Sequence, residues 1–177
     1  MNKVTFDGRI YRALNPVYMS DPLSGEGASL FGGRLNPMGF PALYTSLSPH
    51  TALKEANQVG DMQPTTLVAF NLKATSICDL RPAIVDHAYQ SHPEEVNLLE
   101  KVKDPNWRYK LIKGDVPESH EAANQLLDDG FNGVIVPSFV RNANASDFNL
   151  VLWHWNHDED NVMTVIDDQS RLKRDDP

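Results

Sequence analysis

A single cysteine, Cys78, stands in the 177 residues. That excludes an internal disulfide and any zinc site built on a cysteine cluster. Basic residues are also scarce, with 16 Lys and Arg against 24 Asp and Glu and a formal charge of −8. General nucleic-acid binding needs a basic stripe that displaces counterions, so direct DNA binding is not expected. No apolar run approaches the ~18 residues of a membrane span. The opening MNKVTFDGRIYR lacks the apolar stretch of a signal peptide. Repeats and low-complexity tracts are absent. What remains is ordinary globular usage, 41% hydrophobic and 23% charged, too apolar for wholesale disorder. The expectation is a cytoplasmic chain of one domain, residues 1–166, with a tail over 167–177.

Glycine and proline are concentrated in one place. Residues 15–41 hold five Gly and four Pro, a density that excludes a regular element. A loop this long in a compact domain is functional or disordered. Leu30, Phe31, Leu35, Met38 and Phe40 give it side chains to pack, so it reads as a functional loop. On either side, residues 8–13 read as a short strand and residues 42–47, ALYTSL, as another. The period of two sets Ala42, Tyr44 and Ser46 on one face. Ser48 caps and Pro49 opens a helix to about Gln58, with Gly60 as its stop. Ala52, Leu53, Ala56 and Val59 form its apolar stripe.

Further along, TTLVAFNL (65–72) and SICDL (76–80) read as two strands, and residues 82–103 as two short helices. Residues 118–129 read as a helix closed by Gly130. Strands follow at 131–138, 147–155 and 161–167, and QSRLKRDDP reads as a frayed tail. Strands and helices in this irregular order predict an α+β domain.

Chemistry concentrates in residues 32–55, GGRLNPMGFPALYTSLSPHTALKE. Arg34 follows Gly32 and Gly33, which allow close approach of backbone to a ligand, and arginine is the preferred fork for phosphate oxygens. Tyr44 shares its strand face with small Ala42 and Ser46, leaving room beside the ring. Glu55 lies about 60° round the helix from Ala52, at the edge of the apolar stripe, while Lys54 points away. A carboxylate beside an apolar face is costly unless paired or bonded to a ligand. Each residue also has an ordinary reading: Arg34 on a loop surface, Tyr44 in the core, Glu55 as a solvated helix charge. The unusual feature is the three together between positions 34 and 55.

This segment resembles the RES domain, the toxin half of RES–Xre bacterial toxin–antitoxin systems. The resemblance is carried by Tyr11-Arg12, by GEGASLFGGRLNPMGFPALYTSLSPHTALKE and by VPS at 136–138, and runs in order over residues 8–153. Leu35 stands where the family often has Trp. The resemblance implies an ADP-ribosyltransferase-like fold, a split β-sheet around an NAD cleft with flanking helices. It implies Arg12 and Arg34 on phosphates, Tyr44 positioning nicotinamide, Glu55 holding the reacting ribose, and Ser138 orienting Glu55 or the ribose. Ser146 is the rival for the family serine. It also implies NAD as substrate, without a metal, and an Xre-type helix-turn-helix antitoxin as partner.

The implied reaction breaks the nicotinamide–ribose bond with water or phosphate as acceptor. Ordinary glycosidases need a second carboxylate to protonate the leaving group. Nicotinamide leaves a cation and becomes neutral, so one glutamate suffices. A protein ADP-ribosyltransferase is the first alternative. Enzymes of that broader fold often carry an acidic or polar residue two positions before the glutamate, and here that position is Leu53. The second alternative is a non-catalytic interaction domain.

Other candidates carry less. His154 and His157 with Asp158, Glu159 and Asp160 read as an exposed loop rather than a metal site. His50 reads as a surface residue near the cleft, and His87, His92 and His120 have no partner spacing. Cys78 reads as a buried apolar residue, and Trp107, Trp153 and Trp155 as core or partner-contact aromatics.

Overall fold

A computed structural model describes residue 1 and residues 3–58, 63–82 and 93–172. Strand β1 (Lys3–Leu14) is followed by a 3-10 turn (Pro16–Tyr18), helix α1 (Glu26–Phe31), strand β2 (Leu43–Ser46) and helix α2 (Pro49–Ala56). Strand β3 (Thr66–Asp79) leads to helices α3 (Pro93–Val102), α4 (Trp107–Lys113) and α5 (Glu118–Asp128). Strands β4 (Gly133–Pro137), β5 (Phe148–Leu152) and β6 (Val162–Val165) complete the order. The domain is α+β, with one mixed sheet and flanking helices.

The sheet consists of two groups. One holds β1, β3 and β6, with β1 antiparallel to β3 from Leu14↔Thr66 to Lys3↔Cys78 and Leu72↔Met163 joining β3 to β6. The other holds β2, β5 and β4, in register at Tyr44↔Val151 and Val134↔Val151. Two seams join the groups. At one, β3 runs parallel to β4 over Ile77–Asp79; at the other, β1 meets β2 at the single pair Tyr11↔Ser46. The weak β1–β2 seam opens beside α2.

Both faces of the second group are largely buried, so β4 and β5 read as mostly apolar runs, while β2 carries the buried polar side chains of Thr45 and Ser46. Ile135, Leu150 and Leu152 pack with Ile10, Phe70 and Leu72 inside the curved sheet. Val134, Val136, Val151 and Trp153 pack outward against α3 and α5 through Leu98, Val102, Ala122 and Leu126. Cys78 is buried there, and burial pushes its thiol up to about 12; it is inert packing.

Several expectations are corrected. The strands expected at 65–72 and 76–80 are one 14-residue strand that turns at Ser76, φ 56°, where its partner changes from β6 to β4. The strand expected at 8–13 extends back to Lys3 because β3 supplies a partner along its whole length. The Gly/Pro-rich loop contains the 3-10 turn and the six-residue α1, bounded by Gly25 and Gly32. Of the two helices expected in 82–103, α3 is observed, and residues 83–92 lie outside the described residues. Gly60 and Val59 also lie outside them. In α2 the buried side chains are Thr51 and Ala52, whereas Leu53 is 40% exposed. The contact with the sheet is narrow, so the expected stripe is not all buried.

Ser48 caps α2 by accepting from the Thr51 N–H at 3.0 Å, as its sequence predicts. Gly130, at φ 75°, closes α5. Helix α4 has no buried residue and hence no apolar stripe to announce it. Buried Asp104 fixes it, accepting from the Asn106 N–H at 2.9 Å and Lys110 Nζ at 3.0 Å.

Candidate active site

The loop between α1 and β2 is built round Asn36, which is fully buried. Its Nδ2 donates to the carbonyls of Ala28 and Phe40 at 2.8 Å and of Pro37 at 3.1 Å. Its Oδ1 accepts from the Tyr44 hydroxyl at 2.8 Å, and that hydroxyl accepts from the Leu35 N–H at 2.9 Å. A Cβ on Gly33 would lie 2.3 Å from the Tyr44 hydroxyl. The close approach that Gly33 permits is therefore made by Tyr44, not by a ligand as the sequence suggests. Burial raises the Tyr44 phenol well above its ordinary value, so it stays neutral. His120 Nε2 donates to Gly33 O at 2.8 Å, and Trp153 Nε1 donates to Leu35 O at 2.9 Å. These bonds give both rings a structural place.

Glu55 lies at the centre of a second network. Its Oε1 accepts from Ser138 Oγ at 2.7 Å and from Asn149 Nδ2 at 2.5 Å, while Oε2 accepts from Gln58 Nε2. Asn149 Oδ1 accepts in turn from Ser46 Oγ at 2.7 Å, across the Ser46↔Asn149 register of β2 and β5. Ser138 is thus the serine that reaches Glu55, and Ser146 is exposed.

Helix α2 is clipped to the same region through Asp147. Lys54 Nζ lies 2.7 Å from Asp147 Oδ2, correcting the outward orientation expected of Lys54. Thr51 Oγ1 and the Asn144 N–H also donate to this buried carboxylate, at 2.9 and 2.7 Å. The Lys54 bond and then these donors hold the carboxyl down to about 2.

Two clefts meet at Glu55. The larger, about 330 Å³, opens at the β1–β2 seam and is lined by Tyr11, Arg12, Thr45 and Ser46. The smaller, about 130 Å³, is lined by Arg34, Trp107, Arg108 and Phe139. Both share Tyr44, Glu55, Gln58 and Asn149. Arg12 Nη1 donates to the Pro22 and Ser24 carbonyls at 2.9 and 2.8 Å, and Arg34 Nη1 to those of Val102 and Asp104 at 3.2 and 2.8 Å. Burial lowers both guanidinium pKa values, offset in part by Asp21 for Arg12 and by Asp104 for Arg34. Both groups remain charged. Among the described residues, Glu55 is the one acidic residue in either lining, together with Arg12, Arg34 and Arg108.

A family model described as the RES domain matches residues 9–175. The chain belongs to the RES-domain family. This RES domain is similar to the NAD(+) phosphorylase MbcT of Mycobacterium bovis and of Mycobacterium tuberculosis. Each is 36% identical over 84 residues, 44% of this chain and 44% of the relative. The match therefore spans less than half the length of these curated relatives. In fold, the RES domain is similar to a chain in the crystal structure of the M. tuberculosis MbcT–MbcA toxin–antitoxin complex. The TM-score is 0.58 at 20% identity, covering 93% of this chain and 84% of that one.

The structure brings together Arg12, Arg34, Tyr44, Glu55 and Ser138, the residues singled out in the sequence of this RES domain. It adds Asn36, Gln58, Arg108 and Asn149. An asparagine inside the apolar run FNLVL was a readable sign for Asn149, because a polar side chain on a buried strand needs a partner. Arg108 left none, since its helix has no stripe. Among the described residues no three His, Cys, Asp or Glu side chains converge as a metal site. His154 and His157 meet edge-on at 5.9 Å, and Asp158 accepts from Asn161 Nδ2 at 2.8 Å.

Proposed function

We propose that this RES-family chain cleaves the nicotinamide–ribose bond of NAD, with inorganic phosphate as the favoured acceptor, and acts as the toxin of a toxin–antitoxin pair in the cytoplasm. The observation that carries the reading is Glu55, among the described residues the one carboxylate at the junction of two arginine-lined clefts, with three side chains fixing its oxygens. A fixed negative charge stabilises the oxocarbenium-like ribose as the bond breaks. Nicotinamide departs neutral from a cation, so no second carboxylate is required. Arg12 and Arg34 hold phosphate oxygens, and Tyr44, its hydroxyl turned into the loop, presents its ring to nicotinamide.

Phosphate is favoured over water on chemical grounds. Water must lose a proton as it attacks, and among the described residues neither cleft lining contains a histidine. Glu55 is already engaged at both oxygens. A phosphate dianion attacks without needing a base. The name of the MbcT relatives supports the same choice. Leu53 presents an exposed alkyl group where the transferase alternative would need a polar one.

The partner is an Xre-type antitoxin that covers the clefts with a carboxylate, because three arginines there form a cationic spot on a chain of charge −8. Contact with DNA belongs to that partner.

The test is to incubate the purified chain with NAD, with and without phosphate and cell lysate, and identify products by mass. Nicotinamide and ADP-ribose 1″-phosphate are expected. Absence of nicotinamide under every condition overturns the reading, and ADP-ribose attached to a lysate protein establishes the transferase.

A further inference from the structure

We propose that the 130 Å³ cleft is an acceptor subsite that binds inorganic phosphate between Arg34 and Arg108; this rests on the reading of the site as NAD-cleaving. Two guanidinium groups share one indole there. Arg34 lies 5.6 Å from the Trp107 ring centroid and Arg108 4.9 Å from it. Phe139 supports Arg34 again at 4.4 Å. The rings orient both cations, and Trp107 and Phe139 partly cover half-buried Arg34, which strengthens its pull on an anion.

Geometry sets Arg34's direction as well. Its Nη1 is tied to the Val102 and Asp104 carbonyls, so the planar group cannot turn freely. Arg108 is near enough to depress the Arg34 guanidinium by like-charge repulsion, and a dianion between them relieves that repulsion. The cleft suits a compact oxyanion. A whole nucleotide needs the larger space at the β1–β2 seam, where Arg12 is placed for the dinucleotide's own diphosphate.

The step balances without a further reactant. An oxygen of HPO₄²⁻ attacks C1″ of the ribose. The C1″–N bond breaks, and its electron pair passes to the ring nitrogen, neutralising the pyridinium. The products are nicotinamide and ADP-ribose 1″-phosphate, whose remaining phosphate proton goes to solvent. Glu55, shared by both clefts, faces the ribose where acceptor and leaving group meet.

Arg108 is exposed, so Arg108→Gln is expected to fold, with circular dichroism as the check and Arg108→Lys as the milder second variant. In steady state the KM for phosphate should rise by ~10-fold in Arg108→Gln while the KM for NAD moves less than ~2-fold, since only the fork on the acceptor is lost. Inorganic phosphate alone, titrated into the full chain and followed by ³¹P NMR, should bind more weakly by ~10-fold in the variant. A raised KM for NAD with an unchanged KM for phosphate overturns the subsite and gives Arg108 to the dinucleotide. So does phosphate binding that ignores the substitution. If wild type releases no nicotinamide with any acceptor, the NAD reading fails. The phosphate titration then decides the subsite alone: binding that depends on Arg108 supports it, and binding that does not overturns it.

Discussion

The two clefts that meet at Glu55 differ in what lines them. The larger is bounded by strand edges, where Tyr11, Thr45 and Ser46 border a seam held by one β1–β2 pair. The smaller is bounded by rings and cations from α4 and the segment after β4. Each arginine anchor uses the same device, one guanidinium nitrogen donating to two backbone carbonyls of another segment. A parted sheet makes an elongated opening without filling it. Packed rings make a small, directional one. Under the proposed reading, the contrast lets one carboxylate serve two ligands that arrive from different sides.

The substitution that breaks both clefts at once has the largest expected effect. Glu55→Gln keeps the shape but removes the charge facing the developing cation, so nicotinamide release should fall by ~10²-fold or more with folding intact. A well-folded Glu55→Gln chain with full turnover removes Glu55 from the mechanism. Ser138→Ala withdraws one of three donors from Glu55 and should lower kcat by ~10-fold, the scale of one lost charge-assisted hydrogen bond. Rescue of that loss in Ser138→Thr would show that the hydroxyl itself is required.

The next variants separate the clefts. Arg12→Lys keeps charge at the larger one and loses the planar fork, so the KM for NAD should rise by ~5-fold while the KM for phosphate stays near wild type. Asp147→Asn tests the clip behind them by its pH dependence. The Asp147 carboxyl sits at about 2 in the folded chain, below its value of about 3.9 in the unfolded chain. Its stabilisation is therefore present above about pH 4 and lost as pH falls through the folded value. Thermal melts of Asp147→Asn should show a lower Tm at neutral pH and a flatter decline below about pH 4. Ser146→Ala has the smallest effect, with kcat and Tm near wild type, because Ser146 is exposed and Ser138 is the serine bonded to Glu55.

Much of one side of the site was legible because its information is local. Ser48, Pro49 and the spacing to Glu55 define α2 within ten residues. The strand period set Tyr44 and Ser46 on one face. What the residues around Gly33 do was not legible. Gly33 makes room for Tyr44, and that clearance depends on a turn closed by Asn36. Lys54 was misread for a similar reason: its partner, Asp147, lies 93 positions away.

By itself the sequence determined the elements with strong local signals. These are the capped α2, α5 closed by Gly130, the apolar strands β4 and β5, and the run from Arg34 to Glu55. Caps, glycine stops and side-chain period act within a few residues, so they need no knowledge of the fold. Only the tertiary structure decided that β3 is one strand bent at Ser76, that α4 exists, that Asn149 and Arg108 stand around Glu55, and that Ser138 rather than Ser146 bonds to it. The bend and the surroundings of Glu55 depend on strand register or on groups meeting across 50 positions or more, and α4 depends on the burial of Asp104. Such contacts form only when distant segments are packed against a common core.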